Sequence, residues 1–422
     1  MNRQLTDEKQ IFRNLDFIFL NINAALVIIG YGLSVYTNGA TIESMKILKS
    51  FMLLLSAVGL FRNMSLNKNS IPSPSVIYII VFCFWVFLIS FFADNVLFSI
   101  KTASGFLAPF VYIYVALHNL LTRYHIYSLI RAFIRSMNLV YAIPVLTYVL
   151  SGAGFEQINI YGQSSEAGHI FVSNQYGWAS TIFILSSIDI LFTLKPRNLY
   201  RLFLFVFTII ALYITLVSGN RASWLSLILS MLIFVVRLKT VRADFKVLLM
   251  IVPIAGVIWF SKIPDSSLNA RLQITQTQFE RGEERLNTAN TVIKYFNKEQ
   301  ILWLTGVGMF NYKIIENMPL SDYHNSYLEI LFGGGIILFM MFILFMVLRP
   351  LYHYIRYYSK YYLLFSPLLI IPFFESNITG GQFLFYPWFI FMLLYNINPE
   401  KSYVTRNTAK EKKQIIPHTV HA

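Results

Sequence analysis

Apolar runs of about twenty residues recur along the chain, separated by short polar breaks. A helix of that length spans a hydrocarbon core of about 30 Å. Helix also satisfies every backbone hydrogen bond within the segment, as lipid requires. The pattern predicts twelve such helices, at about 15–36, 45–61, 76–92, 103–121, 136–152, 175–194, 202–219, 222–238, 245–260, 326–348, 359–376 and 383–397. One polar stretch is much longer, Ser261 to Asn325. The expected fold class is therefore all-α, a polytopic bundle of about twelve transmembrane helices with one large outer loop subdomain. The organisation follows as a 1–14 N-terminus, spans one to nine over 15–260, a helical loop over 261–325, three spans over 326–397 and a 398–422 tail.

Composition removes the soluble alternative. The 422 residues would suit about three soluble domains by length. Yet 56% are hydrophobic and 13% charged, against about 25% charged in soluble proteins. Cys83 is the only cysteine, which excludes a disulfide framework and a cysteine-based zinc site. The first apolar run lacks a cleavage pattern and reads as a retained span. The polar, basic tail from Asn398 reads as disordered. Pro109, Pro144, Pro253, Pro367, Pro372 and Pro387 fall inside spans, either as ordinary kinks or as openings for a lipid tail.

The net charge of +14 is explained by position. Segments 1–14, 62–75, 122–135, 195–201, 237–246, 349–360 and 398–422 hold 23 of the 34 Lys and Arg. The short alternate loops hold almost none. Basic loops stay in the cytoplasm, so both termini are expected there. The basic excess then reflects topology and attraction to anionic lipid, and nucleic acid is not an expected partner.

Arg221 violates this pattern. It is the one charge in Ser218-Gly219-Asn220-Arg221-Ala222-Ser223-Trp224, a tiny outer turn between two spans. It reads either as a functional cation or as an arginine snorkelling to lipid phosphate. The large loop carries seven basic and seven acidic residues. Residues 266–299 show helical spacing of Leu268, Leu272, Phe279, Leu286, Ile293 and Phe296. Arg281 and Arg285 share a face of that helix, where Glu280, Glu283 and Glu284 could pair with them as a solvated surface. Gly306 and Gly308 mark a tight turn; as a phosphate cradle, a lone G-x-G is weak. Asn325 is an N-cap candidate for the tenth span, and His324 precedes it at the water–lipid boundary. His169 is the competing outer histidine. Gly333-Gly334-Gly335 weaken the tenth span unless close packing compensates.

In order along the chain, several segments resemble the O-antigen ligase and polymerase superfamily of bacterial envelope glycosyltransferases. They are Ser218–Leu225, Arg285-Leu286-Asn287-Thr288-Ala289, Leu304–Tyr312, His324–Leu331 and Gly334–Ile337. The chain departs from the family at Gly333, often acidic there, at Leu338, often small, and in the spacing of Ser218 from Arg221. The resemblance implies a GT-C-like fold in the bacterial inner membrane with its site on the periplasmic side. It implies transfer of a glycan from an undecaprenyl-diphosphate-linked donor to an acceptor glycolipid or a second lipid-linked glycan. It also implies no cofactor and no metal, with a chain-length regulator or other polysaccharide-assembly proteins as further partners beside membrane lipids.

The chemistry agrees with these residues. Negative charge grows on the departing diphosphate, and arginine's fork matches it without a metal. Arg221 and Arg285 are the expected catalytic cations and His324 the expected base. Arg281, Asn325 and Tyr312 are expected to bind substrate alongside Arg221 and Arg285. Ser173-Asn174-Gln175-Tyr176-Gly177 and the His324 segment favour a repeat-unit polymerase. An O-antigen ligase is the alternative, and a lipid-linked oligosaccharide flippase or transporter a further one.

Overall fold

The computed structural model describes residues 8–34, 74–93, 95–150, 173–194, 196–218, 220–237, 284–308, 325–358 and 382–397. Every regular element among them is helical: α1 (Leu15–Ser34), α2 (Pro74–Ser90), α3 (Val96–Arg123), α4 (Ile126–Leu150), α5 (Ser173–Asp189), α6 (Asn198–Val217), α7 (Arg221–Arg237), α8 (Glu284–Lys298), α9 (Leu302–Thr305), α10 (Ser326–Phe342) and α11 (Gln382–Tyr395). α5 runs on as a π turn through Leu194, and α10 continues helically to Tyr358. The spans expected at 45–61, 245–260 and 359–376 lie outside the described residues, as do the tail and the 266–283 part of the loop helix, so the count of twelve is not tested there.

Four described helices are long and apolar enough to cross a membrane: Ile126–Leu150, Gln175–Leu194, Asn198–Val217 and Tyr327–Tyr358. α6 shows why lipid is their solvent. Leu199, Leu202, Phe205 and Ile209 form one exposed stripe, while Leu204, Ala211 and Ile214 face the bundle. An apolar stripe of that kind is stable against hydrocarbon and is rarely left facing water.

The core is polar where sequence periodicity places small residues. α5 packs between α4, α6 and α7 and is buried over nearly its whole length. Asn138 of α4 donates to the Phe183 carbonyl and to the Ser186 and Ser187 hydroxyls, at 3.3, 2.9 and 2.9 Å. The Tyr200 hydroxyl donates to Asn138 Oδ1 at 3.2 Å. Inter-helix hydrogen bonds between such groups hold spans together where lipid offers no hydrophobic drive. α11 is enclosed by α1, α3, α4 and the extension of α10. Its Phe389, Ile390, Phe391, Met392, Leu394 and Tyr395 are all buried.

Segments that the charge pattern assigns to one side meet at one end of the bundle. Arg135 donates to the buried Glu8 at 2.6 Å, with Arg131 at 3.9 Å. Burial pushes the Glu8 carboxyl above its ordinary range, and the two guanidiniums pull it back. Asn14 donates to the Tyr124 hydroxyl, the Tyr127 ring meets Tyr358, and the Tyr358 hydroxyl donates to the Ile397 carbonyl. The structure differs from the hydropathy pattern here. α4 starts at Ile126 rather than near 136, and the chain stays helical to Tyr358 rather than ending near 348. Hydropathy marks where lipid begins, whereas backbone bonding continues past it. Arg131 and Arg135, four residues apart on α4, both reach Glu8 because they share a helix face.

Candidate functional site

The Arg221 turn is built from the end of α6 and the start of α7. The Ser218 N–H donates to the Ile214 carbonyl at 2.9 Å, and the Ser218 hydroxyl to the Thr215 carbonyl at 2.8 Å. Asn220 is the N-cap of α7. Its Oδ1 accepts from the Ser223 N–H at 3.0 Å, and its carbonyl from the Trp224 N–H at 3.1 Å. The Trp224 indole donates to the Thr215 carbonyl at 2.7 Å, fastening the new helix to the old one. Arg221 is thus the first residue of α7. A cation there opposes the helix dipole, which favours anions at an N-terminus. Helix stability therefore does not account for an arginine at this position.

α8 supplies the second arginine. Thr288, Val292 and Phe296 form its buried stripe, four residues apart. Val292 and Phe296 pack with Val307 and Phe332, flanked by Tyr295, Leu302, Trp303, Leu328 and Leu331. The Phe296 ring meets Phe332 edge-on at 5.3 Å and Trp303 at 5.4 Å. Ile293, expected on the apolar face, is 37% exposed. Arg285 stands three residues before Thr288 and seven before Val292, so its backbone position falls on the buried stripe. Arg281 lies outside the described residues.

α10 begins as its sequence suggests. Asn325 Oδ1 accepts from the Tyr327 and Leu328 N–H groups at 3.0 and 3.1 Å. Glu329 is buried in the first turn. His324, which precedes the cap, and Tyr312 and His169 lie outside the described residues.

The glycines form a joint between α9 and α10. Gly306 has φ 70° and ψ −176°, and Gly335 has φ 70° and ψ −179°, a region open essentially to glycine alone. A Cβ on Gly306 would lie 2.4 Å from the Gly333 carbonyl oxygen, and one on Gly335 2.1 Å from the Leu304 oxygen. The Val307 N–H donates to the Phe332 carbonyl at 2.9 Å. The Trp85 indole donates to the Gly334 carbonyl at 3.4 Å. Gly308 lies against Ala93 and Ser99, at the start of α3. The turn considered as a phosphate cradle is thus spent on backbone packing, which also accounts for Gly335 in α10.

The structure therefore brings the helix of Arg285 onto the first turns of the helix that His324 precedes. It sets Arg221 at a separate helix start. Sequence reasoning took Gly177 only as part of the Ser173–Gly177 segment and did not see that the Arg221 turn sits on it. The signal was present as small residues at helical spacing in otherwise apolar spans, Gly177, Ser180 and Thr181 in α5 and Ser223, Ser226 and Ser230 in α7, all of them buried. Among the described residues no three of His, Cys, Asp and Glu gather into a metal-holding group. No curated protein matches the chain. The family model described as O-antigen ligase matches residues 203–343, a third of the chain, from α6 into α10 and across Arg221, Arg285 and His324, and over that stretch the chain is similar to that family.

Proposed function

We propose that this membrane protein transfers a glycan from an undecaprenyl-diphosphate-linked donor to an acceptor sugar, as the repeat-unit polymerase of a surface polysaccharide. The packing of Val292 and Phe296 of α8 against Phe332 of α10 supports this reading, because it joins the helix that carries Arg285 to the helix that His324 precedes. In the reaction the acceptor oxygen attacks the anomeric carbon. The bond from that carbon to the diphosphate breaks, and its electron pair leaves with the diphosphate oxygen. Arg221 and Arg285 hold that growing charge through paired hydrogen bonds. His324 takes the acceptor proton. Arg281, Asn325 and Tyr312 line the substrate. The site faces the periplasm, with both termini in the cytoplasm, as the basic loops direct. The arginines take the place of a divalent metal.

The description of the matched family favours a second reading, a ligase that joins the glycan to lipid A-core. One experiment separates them. Purified protein in lipid nanodiscs is given a lipid-linked repeat unit alone, then with lipid A-core, in excess chelator. A ladder from the repeat unit alone supports the polymerase. Product only with lipid A-core supports the ligase. No product, with activity recovered by Mg²⁺, overturns the metal-free chemistry.

A further inference from the structure

Gly177 sits in the first turns of α5, directly behind the Arg221 turn. A Cβ built there would lie 2.7 Å from Ser218 Oγ, 2.9 Å from Asn220 Cβ and 3.0 Å from Ser223 Oγ. All three atoms belong to the segment that presents Arg221. Ser218, Asn220 and Ser223 are each buried. Asn220 is also the cap from which α7 starts, so moving it moves Arg221, the next residue. α5 cannot retreat, because Tyr176, Trp178, Ala179, Ser180 and Thr181 around Gly177 are fully buried. On its far side Tyr176 meets the Tyr148 ring of α4 edge-on at 5.2 Å.

We propose that Gly177 is a positioning residue for transfer: its missing side chain lets the Asn220 cap seat against α5 and thereby sets where Arg221 stands. The inference rests on Arg221 holding the donor diphosphate. The size of the effect follows from the contacts. Ordinary van der Waals contact begins at 3.4 Å, so alanine at 177 must push the turn outward by roughly 0.4–0.7 Å. A misplacement of about 1 Å at a reacting group costs up to about 10²-fold in rate, so a loss of about tenfold is expected here.

The test uses the full chain in nanodiscs with a lipid-linked repeat unit as donor, following transfer rate and thermal midpoint together. Gly177→Ala is expected to transfer about tenfold more slowly while keeping its midpoint. Removing the opposing hydroxyls, with Ser218→Ala and Ser223→Ala added to Gly177→Ala, should recover at least threefold relative to Gly177→Ala alone. A purely structural role would show no such recovery. If Gly177→Ala does not accumulate in the membrane, Ser223→Val with Gly177 retained applies the same push from the opposite wall and should give a comparable loss. A Gly177→Ala enzyme within twofold of wild type, a loss that the serine truncations do not relieve, or a fully active Ser223→Val would overturn the inference. The two readings separate through Arg221→Ala. Full activity in that variant removes the diphosphate role itself. An inactive Arg221→Ala beside an unaffected Gly177→Ala removes only the positioning role.

Discussion

Gly306→Ala attacks the joint between α9 and α10 where backbone lies against backbone. Alanine in the backbone conformation of Gly306 costs about 1–3 kcal/mol. Its Cβ would meet the Gly333 carbonyl oxygen at 2.4 Å and the Gly334 nitrogen at 2.6 Å. Both are backbone atoms and cannot swing aside. Restoring ordinary contact needs roughly 1 Å of separation, which stretches the 2.9 Å bond from the Val307 N–H to the Phe332 carbonyl beyond use. Losing that bond removes about 1 kcal/mol more. The joint should therefore weaken by about 2–4 kcal/mol. At 1.4 kcal/mol per factor of ten, it should open roughly 30- to 700-fold more often. Hydrogen exchange of the Val307 amide, followed by mass spectrometry in nanodiscs, reads that opening directly. Leu304→Ala, at a half-exposed side chain on the same short helix, should leave the exchange near wild type. A Gly306→Ala protein whose Val307 amide exchanges at the wild-type rate would refute the joint.

Three further outcomes are expected. Arg221→Lys keeps the charge but loses the fork, so glycan transfer should fall severely at normal membrane levels; an intact glycan ladder in Arg221→Ala would return Arg221 to lipid anchoring. Arg285→Ala should abolish transfer while Arg281→Ala only weakens it, measured by the same ladder, and equal tolerance would restore the solvated-face reading. His324→Asn should cost about 10²–10⁴-fold in rate with a stable protein, while His169→Asn keeps most activity; a fully active His324→Ala would leave His324 as a boundary residue.

Much of the fold was legible because lipid imposes a simple rule on sequence. Helices such as α1, α6 and α7 announce themselves as apolar runs. Arg221 stands out for the opposite reason, as a charge that breaks both patterns. What escaped notice depends on partners far away in the chain. Gly306 and Gly308 look like a nucleotide-type turn until Gly333, nearly thirty residues on, is seen against Gly306, and Ala93 and Ser99 against Gly308. Gly177 meets Ser218 and Asn220 more than forty residues away. Periodicity over 266–299 nominated Ile293 for the buried face, yet the stripe runs through Thr288, Val292 and Phe296. A small polar Thr holds one position of that stripe, and a hydrophobic count passes over it.

The enclosure of α11 bears on how the protein is made. A helix covered by α1, α3 and α4, which begin at Leu15, Val96 and Ile126, fills a slot whose walls leave the ribosome long before Gln382 does. Those walls must wait in the bilayer with their inner faces unfilled until residues 382–397 are synthesised. During that interval the early spans are exposed to lipid, to membrane chaperones and to quality-control proteases. Biogenesis should therefore be limited by a late step, and a stop codon before Gln382 should leave an inserted but rapidly degraded chain even though residues 203–343 are complete.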